Sequence, residues 1–406
     1  MKNRLYYQDA YIHTFEAEVV HRGLDENSNH YVILSNTAFY PTGGGQPCDL
    51  GTLNDVKVVG VEVVEGEIYH YLEKPLPDEE QHVFGVIDWD RRFDHMQQHA
   101  GQHILSAAFQ DLFGYKTVSF HLGKESVTID LQTPNVSKKE LEVAFQKANE
   151  IVFHNEPILT KWVEPDELSH YPLRKPPKVT EDIRLVIIEG VDYNACGGTH
   201  PRRTGEVGPI QLLGTERMKD NVRISFLCGW RAIKAFQSKH DILRRLTHSF
   251  NRPEEELYST IEQAFHEQNR LKAELANVMA TLLDQEAISL IESAEGLENG
   301  CKLIARFYID RPLQELQQLS HSIKDHDPNT IILLTVLNEN KLQLIASRGK
   351  DVSQDMNKMV KSVLPLINGR GGGKADHAQG GGEAVMTASA LLEHLKRAII
   401  GKEAVL

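Results

Sequence analysis

Two short strings, far apart in the chain, contain the residues of one metal site, and any fold must bring them together. The first, His99-Ala100-Gly101-Gln102-His103, places two imidazoles at positions i and i+4, on one face of an α-helix. The second, Cys196-Gly197-Gly198-Thr199-His200, places a thiol and an imidazole around two glycines, as in a tight loop. Imidazole nitrogens combined with a thiolate are typical of tetrahedral zinc sites. We therefore predict that His99, His103, Cys196 and His200 bind Zn²⁺.

Each string by itself is a weak signal. The chain has 19 histidines, so one pair at this spacing can arise by coincidence, and a lone cysteine is often simply buried. By spacing alone, the pair His95/His99 would serve as well as His99/His103. The apolar residues 104–109 after His103 indicate a buried helix, which favours the second pair. We expect His95 at an exposed helix start.

The two strings resemble the editing domain of alanyl-tRNA synthetases and of their free-standing relatives, the AlaX trans-editing hydrolases. The segment PRRTGEVG after the second string, and residues 36–47 and 216–230, are similar to this family as well. Residues 371–382, GGGKADHAQGGG, resemble the C-terminal domain that the synthetases share with DHH-type phosphoesterases. The resemblance covers nearly the whole chain. It departs at Gln102, where synthetases usually carry a small hydroxyl residue, in the string HTATH.

The resemblance implies a zinc-dependent hydrolase that deacylates mischarged tRNA-Ala in trans. Ser-tRNA-Ala is the first expected substrate, and Gly-tRNA-Ala remains an alternative. Four protein ligands fill a tetrahedral zinc site, so a non-catalytic tRNA-binding protein with a structural zinc stays open. A zinc peptidase does not fit, because no Glu follows the first His of HAGQH. No aminoacylation segment occurs in the first 90 residues, so we do not expect the chain to charge tRNA.

Further site residues follow from position and from the resemblance. Gln102, Ser119 and His121 lie on or next to the predicted His-bearing elements, which makes them candidates for catalytic contacts, although ordinary structural hydrogen bonds would explain them equally well. Consecutive glycines let a backbone approach a ligand closely, and their N–H groups can bind phosphate. The predicted substrate or tRNA contacts are Gly43, Gly44, Gly45, Arg202, Arg203, Gly371, Gly372, Gly373 and Lys374.

Composition limits the class of protein. A chain of 406 residues is too long for one ordinary core, so two or three domains are expected. With 41% hydrophobic and 25% charged residues it is typical of soluble globular proteins. We find no apolar run long enough to span a membrane and no apolar leader, and therefore expect a cytoplasmic protein. The four scattered cysteines imply no disulfide framework.

The formal net charge of −13 is unusual for a protein that binds tRNA. Net charge does not determine the local field, however, and basic residues are grouped around the metal strings. Any one group can be solvated surface charge, but together they favour a local phosphate-binding rim. The groups are Arg91–Arg92, Arg174–Lys175 with Lys178, Arg202–Arg203, and Arg217 with Lys219.

The predicted fold class is a multidomain α+β protein. We expect a small β-barrel with a glycine-rich loop over residues 1–90, and a zinc-dependent editing domain over 91–240. A long helix follows over 251–295, and a C-terminal α/β domain of the DHH-associated type, with a second glycine-rich loop, over 300–406. Apolar positions in the long helix follow a 4-3 spacing, which fits a coiled coil or packing on its own domain. A homodimer through this helix and the C-terminal domain is the expected assembly.

Overall fold

A computed structural model describes residues 3–177, 179–298 and 300–400, so Lys178 of the predicted basic rim lies outside the described residues. The chain divides into two compact units, one running to Ser249 and the other starting at Phe250. Within the described ranges, no helix is both long and apolar enough to cross a lipid bilayer. The finer predicted boundaries at residues 90, 240 and 300 stay predictions.

The first unit begins with a closed six-stranded barrel, which confirms that prediction. Its strands are hydrogen-bonded in the order β1-β2-β5-β4-β3-β6. Alternate residues of the first strand, Phe15, Ala17 and Val19, point into the barrel core, as the period of two requires. A short helix α1 (Leu5–Gln8) precedes the strands β1 (Thr14–Leu24), β2 (His30–Leu34), β3 (Gly51–Leu53), β4 (Val56–Val64), β5 (Glu67–Leu72) and β6 (His82–Ile87).

A long helix, α2 (Trp89–Phe113), follows the barrel and carries the first metal string. The Asp88 side chain caps it by accepting a hydrogen bond from the Arg91 N–H at 3.2 Å, and Gly114 ends it in the left-handed conformation. A Cβ at Gly101 would lie 2.1 Å from Cys228 Sγ, so only glycine allows the helix to approach the neighbouring sheet this closely. The apolar pattern of the sequence predicts a helix that begins at Asp94, which is five residues later than the observed start at Trp89.

Two sheets and a second helix complete the core around α2. The string Ser137-Lys138-Lys139-Glu140 predicts a capping box at a helix start, and the helix α3 (Lys138–His154) begins with this box between Ser137 and Glu140. One sheet has the order β12-β13-β8-β7 and the other β11-β10-β9. Their strands are β7 (Thr117–Leu122), β8 (Val127–Leu131), β9 (Ile158–Val163), β10 (Ile183–Ile188), β11 (Asp192–Ala195), β12 (Ile210–Arg217) and β13 (Val222–Cys228), and helix α4 (Gly229–Phe250) follows.

The second unit is a six-stranded mixed sheet with helices, in the order β14-β15-β16-β17-β19-β18. Its β15–β16 pair is parallel, and the other strand pairs are antiparallel. The elements are α5 (Glu254–Glu292), β14 (Glu295–Gly296), β15 (Lys302–Ile309), α6 (Leu313–His326), β16 (Thr330–Asn338), β17 (Lys341–Arg348), α7 (Met356–Val363), β18 (Arg370–Gly373), β19 (His377–Glu383) and α8 (Ala388–Ile400).

The glycine-rich segment of this unit is a β-hairpin, which corrects the predicted loop. Strand β18 pairs with β19, and Gly371 lies opposite Gly380. A Cβ at Gly371 would come within 2.4 Å of the Gln379 carbonyl oxygen, and one at Gly373 within 2.2 Å of the His377 carbonyl oxygen. These glycines therefore permit two backbones to lie close together, and no helix begins directly after them.

The long helix α5 has two different halves. Near its end, Leu283, Ala287 and Leu290 are buried in the core formed with α6, β16 and β17. Earlier along the helix, Leu271 and Leu275 are more than half exposed. The helix runs from Glu254 to Glu292, within the predicted segment 251–295. The coiled coil and the homodimer stay predictions.

Candidate metal centre

The four predicted ligands lie together at the junction of α2 with the loop after β11. Their ligand atoms are all within 4.8 Å of one another, although the two strings are far apart in sequence. The ring centroids of His99 and His200 are 4.5 Å apart, and those of His99 and His103 are 5.2 Å apart. This cluster of three imidazoles and one thiol could hold a metal ion.

Gln46, from the turn that contains the first three glycines, orients His99. Its Oε1 accepts a hydrogen bond from the Thr199 N–H at 3.1 Å and lies 3.0 Å from His99 Nδ1. Since this oxygen can only accept, His99 carries its proton on Nδ1, and the lone pair of Nε2 is left for a metal. The Nε2 atom lies 3.5 Å from Cys196 Sγ. Gln46 therefore connects the barrel to the metal centre, a role that the sequence did not reveal.

A carboxylate orients the second histidine. His103 Nδ1 lies 2.8 Å from Asp192 Oδ2, and Arg174 Nε donates to the other oxygen of this carboxylate at 2.8 Å. His103 Nε2 is buried and has no hydrogen-bond partner among the described residues. A buried nitrogen without a partner is costly, and a metal ion would satisfy it.

Protonation states around the sulfur also suit a metal. Burial raises the pKa of the Cys196 thiol, but the nearby imidazoles of His99 and His200 outweigh this and hold it well below its usual value. Burial lowers the pKa of His200 to about 3, so this imidazole is neutral at physiological pH. Burial also opposes charge on His103, yet the hydrogen bond to Asp192 raises its pKa to about 10. Metal binding at His103 would therefore displace a proton.

The loop that carries Cys196 is supported by a buried arginine. Arg184 Nη1 donates to the carbonyl oxygens of Cys196 and Gly198, at 2.8 and 2.9 Å. A Cβ at Gly198 would lie 2.3 Å from His99 Cε1, so glycine is required for the loop to lie against the helix. Arg184 lies in a strand and far from either string, so no spacing in the sequence pointed to it.

A cleft of about 570 Å³ opens onto the metal centre. Gln102 Nε2 donates to Ser106 Oγ at 2.9 Å, and Thr117 Oγ1 donates to the same oxygen at 2.8 Å, so one wall is a connected polar chain. Ser119 also lines the cleft. The predicted contacts Gln102 and Ser119 are thus near the ligands, and their roles stay predictions.

The glycine turn forms another side of the cleft. Gly44 and Gly45 line it, both with positive φ, whereas Gly43 is set back and its carbonyl oxygen accepts from the Tyr40 hydroxyl at 3.0 Å. A Cβ at Gly45 would lie 2.8 Å from the ring of Phe120, which stacks on His99.

The structure does not bring every candidate to the cleft. His121 is exposed and absent from the lining, because Phe120, its neighbour on the strand, faces His99 instead. The structure thus places His121 outside the cleft, which differs from the predicted catalytic contact. Arg202 pairs with Asp9 at 2.9 Å, and Arg203 donates to the Asn155 carbonyl oxygen at 2.9 Å. Both arginines are exposed and lie outside this lining, and their contact with tRNA stays a prediction.

Two expectations for the start of α2 were wrong. His95 is buried at 3% exposure rather than exposed, because the helix begins five residues before Asp94. Arg92 is fully buried and cannot belong to a phosphate-binding rim. Its Nε donates to both oxygens of Asp49 at 3.0 Å, and its Nη1 donates to the Ala10 carbonyl oxygen at 2.8 Å. Arg92 joins the barrel to α2.

Two known domain families match this chain. The Threonyl and Alanyl tRNA synthetase second additional domain matches residues 183–225, which include Cys196 and His200. The DHHA1 domain matches residues 300–401, most of the second unit. The alanine–tRNA ligase of Pyrococcus abyssi is 33% identical over 96% of this chain, but the match covers only 43% of that enzyme. The chain thus spans less than half the length of such ligases.

Shorter relatives match over most of their length. The alanyl-tRNA editing protein AlaX-L of Pyrococcus horikoshii is 30% identical over 95% of this chain and 95% of its own length. The alanyl-tRNA editing protein Aarsd1-A of Xenopus laevis is 32% identical over 87% of this chain and 84% of its own. Since these matches cover most of both chains, this protein belongs to the family of alanyl-tRNA editing proteins.

Proposed function

We propose that this protein is a zinc-dependent hydrolase that deacylates mischarged tRNA-Ala in trans, with Ser-tRNA-Ala as its main substrate. The observation that carries the proposal is the convergence of His99, His103, Cys196 and His200 in one cluster. Three of these ligands, His99, His103 and Cys196, line an open polar cleft. Membership of the editing family supplies the substrate class, since AlaX-L and Aarsd1-A are named alanyl-tRNA editing proteins.

The donor set supports zinc. Three nitrogens and one thiolate match its preference, and the unpartnered Nε2 of His103 and the low pKa of Cys196 favour a bound cation. When bound, zinc supplies Lewis-acid polarisation of a carbonyl and acidifies a bound water. Gln46 and Asp192 hold His99 and His103 in the required tautomer and orientation.

The polar wall of the cleft supports selection of serine. Gln102 and Ser106 form a connected chain with Thr117, and we assign to Gln102 the recognition of the substrate hydroxyl. A site that hydrogen-bonds a hydroxyl strongly disfavours the analogue that lacks it, because its own polar groups are then left unpaired. Ala-tRNA-Ala would be spared for this reason. Ser119 lines the same cleft, and we assign to it a contact with the ester or its attacking water.

Editing is needed because a binding pocket for alanine cannot select its amino acid by size alone. A pocket for alanine cannot exclude the smaller glycine, and it rejects serine only weakly. A second site that hydrolyses the wrong product corrects this error. Gly-tRNA-Ala is the alternative substrate. Glycine lacks the hydroxyl that we assign Gln102 to recognise, so preferred cleavage of Gly-tRNA-Ala would contradict that role.

The proposal is tested by deacylation of Ser-, Gly- and Ala-tRNA-Ala together with metal analysis. We expect about one zinc per chain and hydrolysis of Ser-tRNA-Ala by the wild type. Cys196→Ala and His103→Ala should lose both zinc and activity. Cys48→Ala is the matched control, since Cys48 is also partly buried but lies outside the metal cluster. Equal cleavage of all three esters, or full activity without metal, would refute the proposal.

A second function is favoured by the number of ligands. Four protein ligands complete a tetrahedral zinc, which is the pattern of structural sites, so a non-catalytic tRNA-binding protein is the alternative. In that case the wild type would bind tRNA-Ala and contain zinc, yet it would leave Ser-tRNA-Ala intact.

A further inference from the structure

A second and larger cleft, of about 810 Å³, lies beside the first turns of α2. It is formed within the first unit by α2, the end of β7 and the start of α4. We call it the basic cleft, and its principal lining residues are Trp89, Phe93, His95, Lys124, Trp230 and Lys234. Neither the metal strings nor the predicted glycine contacts belong to it.

The basic cleft is positively charged, whereas the protein as a whole is negatively charged. Its lining holds two arginines, two lysines and two aspartates, a formal net charge of +2 on a chain of net charge −13. Arg231 is held in place by Asp94 at 2.8 Å and by the Gly123 carbonyl oxygen at 2.7 Å. In the part of the chain that the structure describes, Lys124 and Lys234 form no ion pair. These two ammonium groups are available for phosphates.

Aromatic rings line the same cleft. Trp89 and Phe93 stack on each other, with centroids 5.7 Å apart and an interplanar angle of 28°. Trp230 is 59% exposed although it is a large aromatic residue. Two of the three tryptophans of the chain are thus in this cleft. Exposed aromatic faces beside cations are typical of sites that bind single-stranded nucleic acid by stacking its bases.

A buried histidine adds a hydrogen-bonding group. His95 lines the basic cleft, yet its Nδ1 is buried and has no hydrogen-bond partner among the described residues. A buried polar atom without a partner is unfavourable, so a ligand that supplied one would gain from it. A ribose hydroxyl or a base edge could do so, whereas a phosphate alone would not account for the aromatic rings.

The basic cleft and the metal cleft adjoin along two elements. His95 lies one helical turn before His99, which is about 6 Å along the axis. On β7, Phe120 lines the metal cleft and Leu122 lines the basic cleft. A strand with its esterified end at the metal centre would have its preceding nucleotides within reach of the basic cleft.

We infer that the basic cleft binds single-stranded RNA, as the nucleotides that precede the aminoacylated end of the substrate. The inference rests on the proposed function for the identity of the strand. Lys124 and Lys234 neutralise its phosphates, and Trp230 stacks on a base opposite the pair formed by Trp89 and Phe93.

The test uses the full-length protein and a labelled, uncharged single-stranded RNA of about six nucleotides, with binding followed by fluorescence anisotropy. Trp230→Ala should weaken binding at least about fivefold through the lost stacking. Lys234→Glu should weaken it and reduce the slope of log K against log salt by at least about 0.7. The matched controls are Phe236→Ala and Lys239→Glu, exposed residues of the same helix outside the cleft, and both should bind as the wild type does.

The result that would overturn the inference is equal binding by the cleft variants and their controls. Competition by AMP at the same concentration as the RNA would also overturn it, because the cleft would then be a mononucleotide site. The RNA carries no ester, so the outcome is independent of hydrolysis. A protein that binds RNA through the basic cleft but deacylates nothing would refute the proposed function and with it the identity of the strand, while single-stranded RNA binding by the cleft would stand.

Discussion

The two compact units differ in what their interiors bury. Among the described residues, the buried polar side chains of the second unit are two serines and two threonines, without a charged group. The first unit buries ionisable side chains: Asp49, His70, Arg92, His95, His99, His103, Asp130, Arg184, Asp192 and His200. Burying an ionisable group is unfavourable unless it is paired. The difference teaches that the stability of the first unit depends on keeping its buried ionisable groups paired, whereas the buried polar groups of the second unit are uncharged hydroxyls.

The unfolding of the two units can be compared within one protein. The three tryptophans, Trp89, Trp162 and Trp230, all lie in the first unit, so their fluorescence follows the unfolding of that unit. Far-ultraviolet circular dichroism follows both units. A change confined to one unit should therefore separate the two transitions.

The largest effect is expected from the buried ion pair. Asp49→Ala leaves Arg92 buried without its partner and removes the acceptor of the Tyr40 N–H, which should cost about 3–5 kcal/mol of unfolding free energy. Urea unfolding followed by tryptophan fluorescence measures this loss. In the second unit, Ser320→Ala breaks the buried hydrogen bond to Ser347 and should cost only about 1 kcal/mol. Equal losses would remove the contrast between the units.

Acid should also destabilise the first unit. Burial lowers the pKa of His70 to about 4, below its ordinary value of 6.5, while Thr37 Oγ1 lies 2.8 Å from its Nε2. The unfolded chain therefore takes up this proton first as the pH falls, and stability declines between about pH 6.5 and pH 4. The loss is at most about 3 kcal/mol. His70→Gln should flatten the pH dependence of the fluorescence transition, and an unchanged slope would contradict the assignment.

The glycine-rich hairpin should respond with a moderate loss in the second unit. Gly371→Ala and Gly373→Ala place a Cβ against a facing backbone carbonyl and should cost about 1–3 kcal/mol. Gly372→Ala is the matched control, because its Cβ would meet only side chains at ordinary contact distance, Asn357 at 3.5 Å and Lys361 at 3.9 Å. The circular dichroism transition should move while zinc content stays constant. Equal effects at all three positions would argue against close backbone packing.

The smallest stability effect is expected in the first glycine turn. Gly45→Ala introduces a left-handed alanine against Phe120 and should cost about 1 kcal/mol, but it should lower Ser-tRNA-Ala hydrolysis, because Phe120 stacks on His99. Gly43→Ala has room for its Cβ and serves as the control. Steady-state deacylation rates should distinguish the two variants. Equal rates would contradict the claim that the glycine turn influences the metal centre.

Local rules predicted local structure well. The spacing of His99 and His103, the capping box at Ser137 and the alternation of the barrel strands depend on neighbours in the sequence, and the structure has them as expected. What the sequence missed depends on distant contacts. Arg92 is charged, and only its pairing with Asp49 across the chain explains its burial. Gln46 and Arg184 support the centre from other elements and show no spacing that would reveal them.

The two glycine triplets also show that a local sequence pattern does not reveal contacts with distant residues. In the sequence both indicate a backbone open to a ligand. Gly44 and Gly45 do line the metal cleft, but Gly371 and Gly373 instead allow β18 to lie against β19. Composition alone does not distinguish a turn from a closely packed hairpin, because the partner backbone is not visible in the local string.

The close approach of Gly101 to Cys228 restricts the substitutions that these two positions can accept during evolution. A Cβ at position 101 would lie 2.1 Å from the sulfur, and the two imidazoles flank this position on the same helix. A lineage that acquires a larger residue at 101 must first acquire a smaller one at 228, or the helix and both ligands move together. Substitutions at these two positions should therefore occur in a fixed order. In homologous sequences the residues at positions 101 and 228 should covary.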